Sequence, residues 1–449
     1  MAAPSRRTAL AGVLAAVTTA AVTTAARSAR AAGPGGGRTA ETAPVDYQAW
    51  TRRRDWLTGT PAGVRITPAA PDGGPVGLAV DRPAGIVPYT DPYTGATAEW
   101  EYATWTSPEY RPGFGASELV TSWNADTPPG SWIEVALRGR YSTGGTSPWY
   151  VLGRWAAGDT DIRRTSVGGQ ADPYSAVSTD TVAIGDRSSG VRITAYRVRV
   201  TLHRRPGSGG PRVRRLGVLA SDLPDRCTVP AGELGGPAVE LAVPRYSQEV
   251  HRGRYPEYDG GGEAWCSPAS SQMVIEYWGR RPTPAELAWV DPGYADPAVC
   301  HAARRTYDQL YEGCGNWPFN AAYAACYGLD ALVTRLRSLG EVERLIRAGI
   351  PVITSQSFLA EELDGAGYGT AGHLMAVVGF TASGDVVAND PAAPTDAAVR
   401  RVYPRRQFAD VWLRTRRQDA TGAVRSGSGG IAYLYKPRHH PWPDGLGLV

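Results

Sequence analysis

The sequence predicts an α+β protein: an all-β sandwich, then a domain of helices followed by strands. Three observations carry this. Residues 46–225 hold apolar runs at period two, separated by Gly, Pro, Asp and Ser clusters. After Val243 the spacing turns helical, most clearly over residues 266–279. From Ile350 onward, short β-rich runs return. At 449 residues the chain is long enough for two domains, each with its own core.

Taken in order, residues 1–32 read as a cleavable export segment. Ser5-Arg6-Arg7-Thr8-Ala9-Leu10 resembles a twin-arginine box, Ala9 to Ala26 is weakly apolar, and Ala29-Arg30-Ala31 offers a cleavage site. The mild hydrophobicity suits the route that exports folded proteins. Residues 33–45, opening on Gly33-Pro34-Gly35-Gly36-Gly37, form a linker. Ser131 to Leu137, Trp149 to Trp155 and Val191 to Leu202 are expected strands, the last alternating apolar and charged residues. Residues 204–211 are expected to form a hairpin loop before a strand near 213–219. Trp100, Trp105, Trp123, Trp132, Trp149 and Trp155 are expected in the sandwich core, with sugar stacking on an open face as the alternative. Residues 226–240 read as an interdomain linker, 241–436 as the second domain and 437–449 as a C-terminal tail. Within the second domain, Val342, Leu345 and Ile346 mark one face of a short helix that Gly349 stops.

Charge and hydropathy exclude several classes of function. The 47 Lys and Arg residues exceed the 43 Asp and Glu by four. Four Arg residues, Arg6, Arg7, Arg27 and Arg30, lie in the export segment, so the mature chain has no net charge and no global attraction to nucleic acid. No strongly apolar run of eighteen residues follows the N-terminus, so no membrane span is expected.

The chemistry centres on Cys266, in Trp265-Cys266-Ser267-Pro268-Ala269. Ser267 and Pro268 suit the first turn of a helix. A thiol at a helix N-terminus meets unpaired N–H groups and the positive end of the dipole, which favour the thiolate. His373 opens an apolar strand, and Asp390 follows the next one. A tight turn near Ser383 would set Asp390 close to Met375, on the same face as His373 and within side-chain reach. Asp390 would then accept the Nδ1 proton and orient the ring as base and acid for Cys266. Gln248, eighteen residues upstream of Cys266, is the expected oxyanion donor together with the Cys266 backbone N–H. His251 and His301 are expected at the surface.

Val243-Pro244, Ser247-Gln248, the Cys266 helix, Gly349-Ile350-Pro351-Val352, Gly372-His373 and Asn389-Asp390-Pro391 together resemble the papain-like cysteine peptidases of family 39, over about 241–436. Gly260 to Cys266 and Gly315 to Asn320 resemble a secreted actinobacterial subgroup, as does the N-terminal sandwich. The resemblance implies Cys266 as nucleophile, His373 as base and acid, Asp390 as orienting residue and Gln248 as oxyanion donor. Ser267 stands where leader-processing members usually have Gly.

The expected activity is hydrolysis of peptide or amide bonds outside the cytoplasm, with cell-wall peptide one candidate substrate and no metal or organic cofactor. A non-catalytic wall- or glycan-binding protein and an acyl-transferring enzyme are the alternatives. The sandwich, which shows no nucleophile–base pair, is expected to be dispensable for thiol chemistry. Cys227, Cys300, Cys314 and Cys326 allow three disulfide pairings, of which Cys300–Cys314 is preferred because the two flank one short helical stretch.

Overall fold

The computed structural model describes residues 44–68, 76–229 and 236–448. The expected export segment 1–32 and the 33–45 linker up to residue 43 lie outside the described residues. Four long strands frame the N-terminal half: β1 (Glu118–Asp126), β2 (Ser131–Tyr141), β3 (Ile193–Arg204) and β4 (Arg212–Ser221). β1 and β4 are neighbours in a seven-stranded antiparallel sheet, β2 and β3 in a six-stranded one. Along β3, Val198, Val200 and Leu202 are buried while Arg197 is exposed, as period-two alternation requires. β3 and β4 belong to different sheets, so residues 204–211 are a crossover at the edge of the sandwich and not a hairpin. A run with Gly207, Gly209 and Gly210 around Pro206 and Pro211 has the freedom for either, and the partner sheet decides.

The tryptophans divide between two clusters: Trp105, Trp123 and Trp155 lie in the main core as expected, whereas Trp100 and Trp132 lie in a separate small cluster with Ala156 and Ile162. Trp100, Trp105, Trp123, Trp132 and Trp155 are each 2% exposed or less. Trp149 is half-buried, with the Arg199 guanidinium 4.6 Å from its ring centre.

The second half begins with helices α1 (Cys266–Tyr277), α2 (Pro297–Thr306) and α3 (Trp317–Cys326). They are followed by β5 (Leu329–Arg335), α4 (Leu339–Arg347), β6 (Val352–Phe358), β7 (Thr370–Phe380), β8 (Val386–Asn389), β9 (Arg400–Tyr403) and β10 (Ile431–Pro437). The strands form an antiparallel sheet in the order β5-β10-β6-β7-β8-β9, with Val239–Glu240 also pairing along β7. α4 shows the local logic. Ser338 caps its first turn through the Glu341 N–H, and Val342, Leu345 and Ile346 are buried. Gly349, at φ +79°, lets the chain leave the helix.

The two halves share one core, which corrects the expectation of separate ones. Every residue of β1 from Leu119 to Ala125 is buried, because one face meets the sandwich and the other meets α3. The Phe319 ring lies 6.0 Å from Trp123 and 5.3 Å from Trp155. The Asn124 side chain pairs with both backbone groups of Ala331, donating to its carbonyl at 2.7 Å and accepting from its N–H at 3.2 Å. Thr121, Ser122 and Asn124 make this strand look half-wet in sequence, yet all three are buried. Residues beyond Pro437 also fold back, with Leu446 and Leu448 in the core.

Candidate active site

The site is assembled by a glycine turn, a helix start and a strand hairpin. Gln248 opens a short 3-10 turn, and its backbone N–H donates to the Pro391 carbonyl at 2.8 Å, beside Asp390. Gly262 packs directly against this turn. A Cβ there would collide with the Gln248 carbonyl oxygen and the His251 backbone, so only glycine fits. Trp265 is fully buried and donates its indole N–H to the Tyr258 carbonyl at 2.7 Å, which anchors the residue before the thiol.

Cys266 is the first residue of α1. The helix lies close on the sheet because its inner face is built of small hydroxyls. Ser270 Oγ donates to the Leu374 carbonyl at 3.2 Å, and Ser267 Oγ lies 3.2 Å from the Tyr433 hydroxyl. Leu374 adjoins His373, so this contact carries the start of α1 to the imidazole. A Cys266–His373 side-chain hydrogen bond and their mutual charge contribute to the environment of the ring.

His373 lies on β7 opposite Gln356 of β6 and is 4% exposed. Ala376 pairs with Asn389 of β8, so the next residue, Asp390, falls opposite Met375. His373 Nε2 and Asp390 Oδ1 are 2.8 Å apart. The bond therefore uses Nε2, and the expectation that Asp390 would take the Nδ1 proton is corrected. His373 and Asp390 meet diagonally from adjoining strands, and this approach presents the far ring nitrogen to the carboxylate. Nδ1 is then the nitrogen left for Cys266.

Asp390 is completely buried and well supplied with donors. Besides His373 it accepts from the Ala392 N–H at 3.0 Å, the Tyr368 hydroxyl at 2.9 Å and the Tyr403 hydroxyl at 2.5 Å. Burial alone would raise its pKa, but the His373 charge and these hydrogen bonds outweigh it and bring it to about 2. His373 moves the other way. Burial would lower its pKa, but the Asp390 and Cys266 charges beside it carry it up to about 10.

Gln248 is buried and donates through Nε2 to the Glu263 carbonyl at 2.7 Å. Nε2 also lies 3.4 Å from Glu249 Oε1, so both amide N–H directions expected to face an oxyanion have acceptors, and the Glu263 bond ties Gln248 to the segment just before Cys266. Two hollows meet at Glu263 and His373. Tyr311, Trp317, Ser355 and Ser428 line the one holding Cys266, and Gln248, Tyr368 and Arg401 line the other. Sequence reasoning missed Tyr368 and Tyr403. Tyr368 stands in the glycine-rich run Gly365-Ala366-Gly367-Tyr368-Gly369, a weak signal, and Tyr403 has none.

The wall at Tyr311 and Trp317 is fastened to the sandwich. Asp308 accepts from the Ser166 N–H at 2.9 Å, from Asn316 Nδ2 at 2.8 Å and from the Tyr311 N–H at 3.3 Å. The Trp317 N–H donates to Asp180 Oδ2 at 2.9 Å. The sandwich thus holds the segment that forms one side of the hollow at Cys266.

Two other expectations are corrected. His251 and His301 are buried, each with its pKa lowered by burial to about 4, because aromatic neighbours enclose the segments around them. Cys300 and Cys314 are free thiols. Cys300 Sγ faces His251 Nδ1 at 3.7 Å, and Cys314 Sγ faces the Ala303 carbonyl at 3.4 Å. Among the described residues, no His, Cys, Asp and Glu group could hold a metal ion, and no helix is long and apolar enough to cross a membrane.

Residues 46–221 match the peptidase C39 N-terminal domain, and residues 240–420 match the peptidase C39-like family. A solved structure of a candidate C39-like peptidase from Bacillus anthracis is 19% identical, with a TM-score of 0.29, and the alignment covers 45% of this chain and 99% of that one. No curated protein matches the chain. With the two family matches lying end to end over most of its length, the chain belongs to the C39-like peptidase family.

Proposed function

We propose that the protein is an exported cysteine peptidase that cleaves peptide or amide bonds through Cys266, His373, Asp390 and Gln248. The observation that carries this reading is the connected run from the Cys266 thiol at a helix start, through the buried His373 ring, to the four-fold bonded Asp390 carboxylate. Asp390 held as the anion and His373 held as the cation favour an ion pair with the Cys266 thiolate.

The thiolate attacks the substrate carbonyl carbon and the C=O electrons move to oxygen. The Cys266 backbone N–H at the start of α1 and the Gln248 amide, turning from its Glu263 and Glu249 acceptors, would stabilise that oxyanion. Imidazolium Nδ1–H then protonates the leaving amine as the C–N bond breaks. Neutral His373 next takes a proton from water, whose oxygen attacks the thioester and returns the enzyme. Residues 1–32 support export, and a chain whose halves share one core fits a route that carries folded proteins.

The test is profiling of the mature protein with a thiol-directed probe and a mixed peptide library. Labelling at Cys266 together with cleavage that disappears in Cys266→Ala is expected. Full cleavage by Cys266→Ala would refute the reading. An added amine nucleophile tests for acyl transfer, since hydrolysis leaves only free acid products.

A further inference from the structure

A separate cleft of about 460 Å³ lies where the two halves meet, and it shares no residue with either hollow at the candidate active site. Arg52, Arg214 and Arg215 reach it from the strand domain, and Lys436 and Arg438 from the other half. Lys436 stands five residues along β10 from Ile431, so it is roughly 17 Å from the end of that strand nearest Ser428 and the candidate active site.

Five cationic side chains converge here, and two carboxylates pair with them. Asp330 lies 3.5 Å from Arg215, 3.7 Å from Lys436 and 4.0 Å from Arg438, and Asp126 lies 2.9 Å from Arg214. Three of the cations are deeply placed: Arg214 and Arg215 are 5% exposed and Lys436 is 2% exposed. Arg214 and Arg215 each keep Nε and Nη1 buried without a hydrogen-bond partner among the described residues. Burial first, then the neighbouring Arg214, brings the pKa of Arg438 down to about 10, and burial lowers that of Lys436. Lys436 is the only lysine in the chain, and its ammonium packs 4.5 Å from the Trp442 ring centre, where a compact cation fits.

A buried cation without a full set of partners is costly, and a bound anion would offset that cost. We propose that this cleft binds a phosphate-class oxyanion, gripped at the mouth by Arg438 and Arg52 and backed by Arg214, Arg215 and Lys436. The excess of three positive charges suits a dianionic phosphoryl group better than a single carboxylate. The cleft is larger than one phosphate, so a group carried on a longer molecule also fits. Such an anion would join the two halves and so stabilise the folded chain.

The test uses the full mature chain at constant ionic strength, with chloride as reference. Inorganic phosphate and the diester glycerophosphoglycerol are titrated by calorimetry, and the thermal midpoint is followed against their concentration. Saturable one-to-one binding of inorganic phosphate is expected, with a midpoint that rises with its concentration. Arg438→Ala should weaken binding at least ten-fold. If that variant does not fold, Arg52→Ala decides. Its side chain is exposed, and its contacts to the following helix are made by backbone atoms, the N–H donating to Asp55 Oδ2 at 2.8 Å and the carbonyl accepting from the Trp56 N–H at 3.1 Å, so the fold is kept. Equal binding of the diester supports a polymer-borne group, and binding of inorganic phosphate alone supports the free ion. No saturable binding of either probe, or the same midpoint rise in the variant as in the parent, which would mark a general salt effect, overturns the proposal.

Discussion

Asp390 is bonded to His373, Ala392, Tyr368 and Tyr403, and this sets how the single residues should behave. His373 keeps its proton up to about pH 10 because Asp390 lies beside it. Below that pH the imidazolium is present and can protonate a leaving amine. As pH rises through it, the acid is lost and turnover should fall. Asp390→Asn removes the charge while burial still disfavours the cation, so the alkaline limb of the kcat/KM profile should move to lower pH, toward the ordinary histidine range or below. A limb unmoved in Asp390→Asn would show that the carboxylate does not set the state of the ring. Cys266→Ala should reduce peptide cleavage to background, with an unchanged thermal midpoint. Gln248→Ala should cost ~10²-fold in kcat, measured on a fixed peptide substrate. The residue types of this constellation are legible in sequence because each sits at a local landmark: Cys266 at a helix start, His373 at the start of the buried run of β7 (the strand itself begins three residues earlier, at Thr370) and Asp390 just past the end of β8. The ring nitrogen that meets Asp390 is not legible, since it depends on the relative slant of two strands. Tyr368 and Tyr403 are not legible either, since they reach Asp390 from 22 and 13 residues away.

At the scale of elements, the β7–β8 hairpin and the turn ahead of α1 do the positioning. The sequence placed Asp390 opposite Met375 correctly, but not the bulge between Val377 and Gly379, which shifts the pairing by one residue between the turn and the site. Gly262 was not readable either, since its role is a close approach between backbone segments that no periodicity reports. Gly262→Ala should push the Gln248 turn away from the start of α1. The expected result is a loss of about 1–3 kcal/mol in stability by denaturant unfolding and a fall in kcat exceeding that of a surface Gly→Ala such as Gly145→Ala, where a Cβ meets nothing within 4 Å. The buried face of α1 also escaped a simple hydrophobic reading. Ser267, Ser270 and Ser271 are fully buried, and their hydroxyls are bonded to the sheet or to α3.

At the scale of the whole molecule, the shared core changes what a fragment can do. A chain of residues 241–449 would bare Phe319 and leave the Ala331 backbone, the Trp317 N–H and Asp308 without their partners in the strand half. It should bind a hydrophobic dye, lack a cooperative thermal transition by circular dichroism and lose thiol-probe labelling. A fragment that melts cooperatively and labels normally would show that the sandwich is dispensable after all. The division into a strand half and a mixed half was legible from the change of period. The joining of the halves was not, because β1 buries Thr121, Ser122 and Asn124 on a face that composition marks as wet. This joint also sets a timetable for synthesis. Asn124 precedes Ala331 by 207 residues, so at about 5–20 residues per second the strand half leaves the ribosome roughly 10–40 s before its cover exists. Through that interval the outer face of β1 has to be kept from other chains, and the nascent protein becomes self-sufficient only when α3 and β5 arrive to close it.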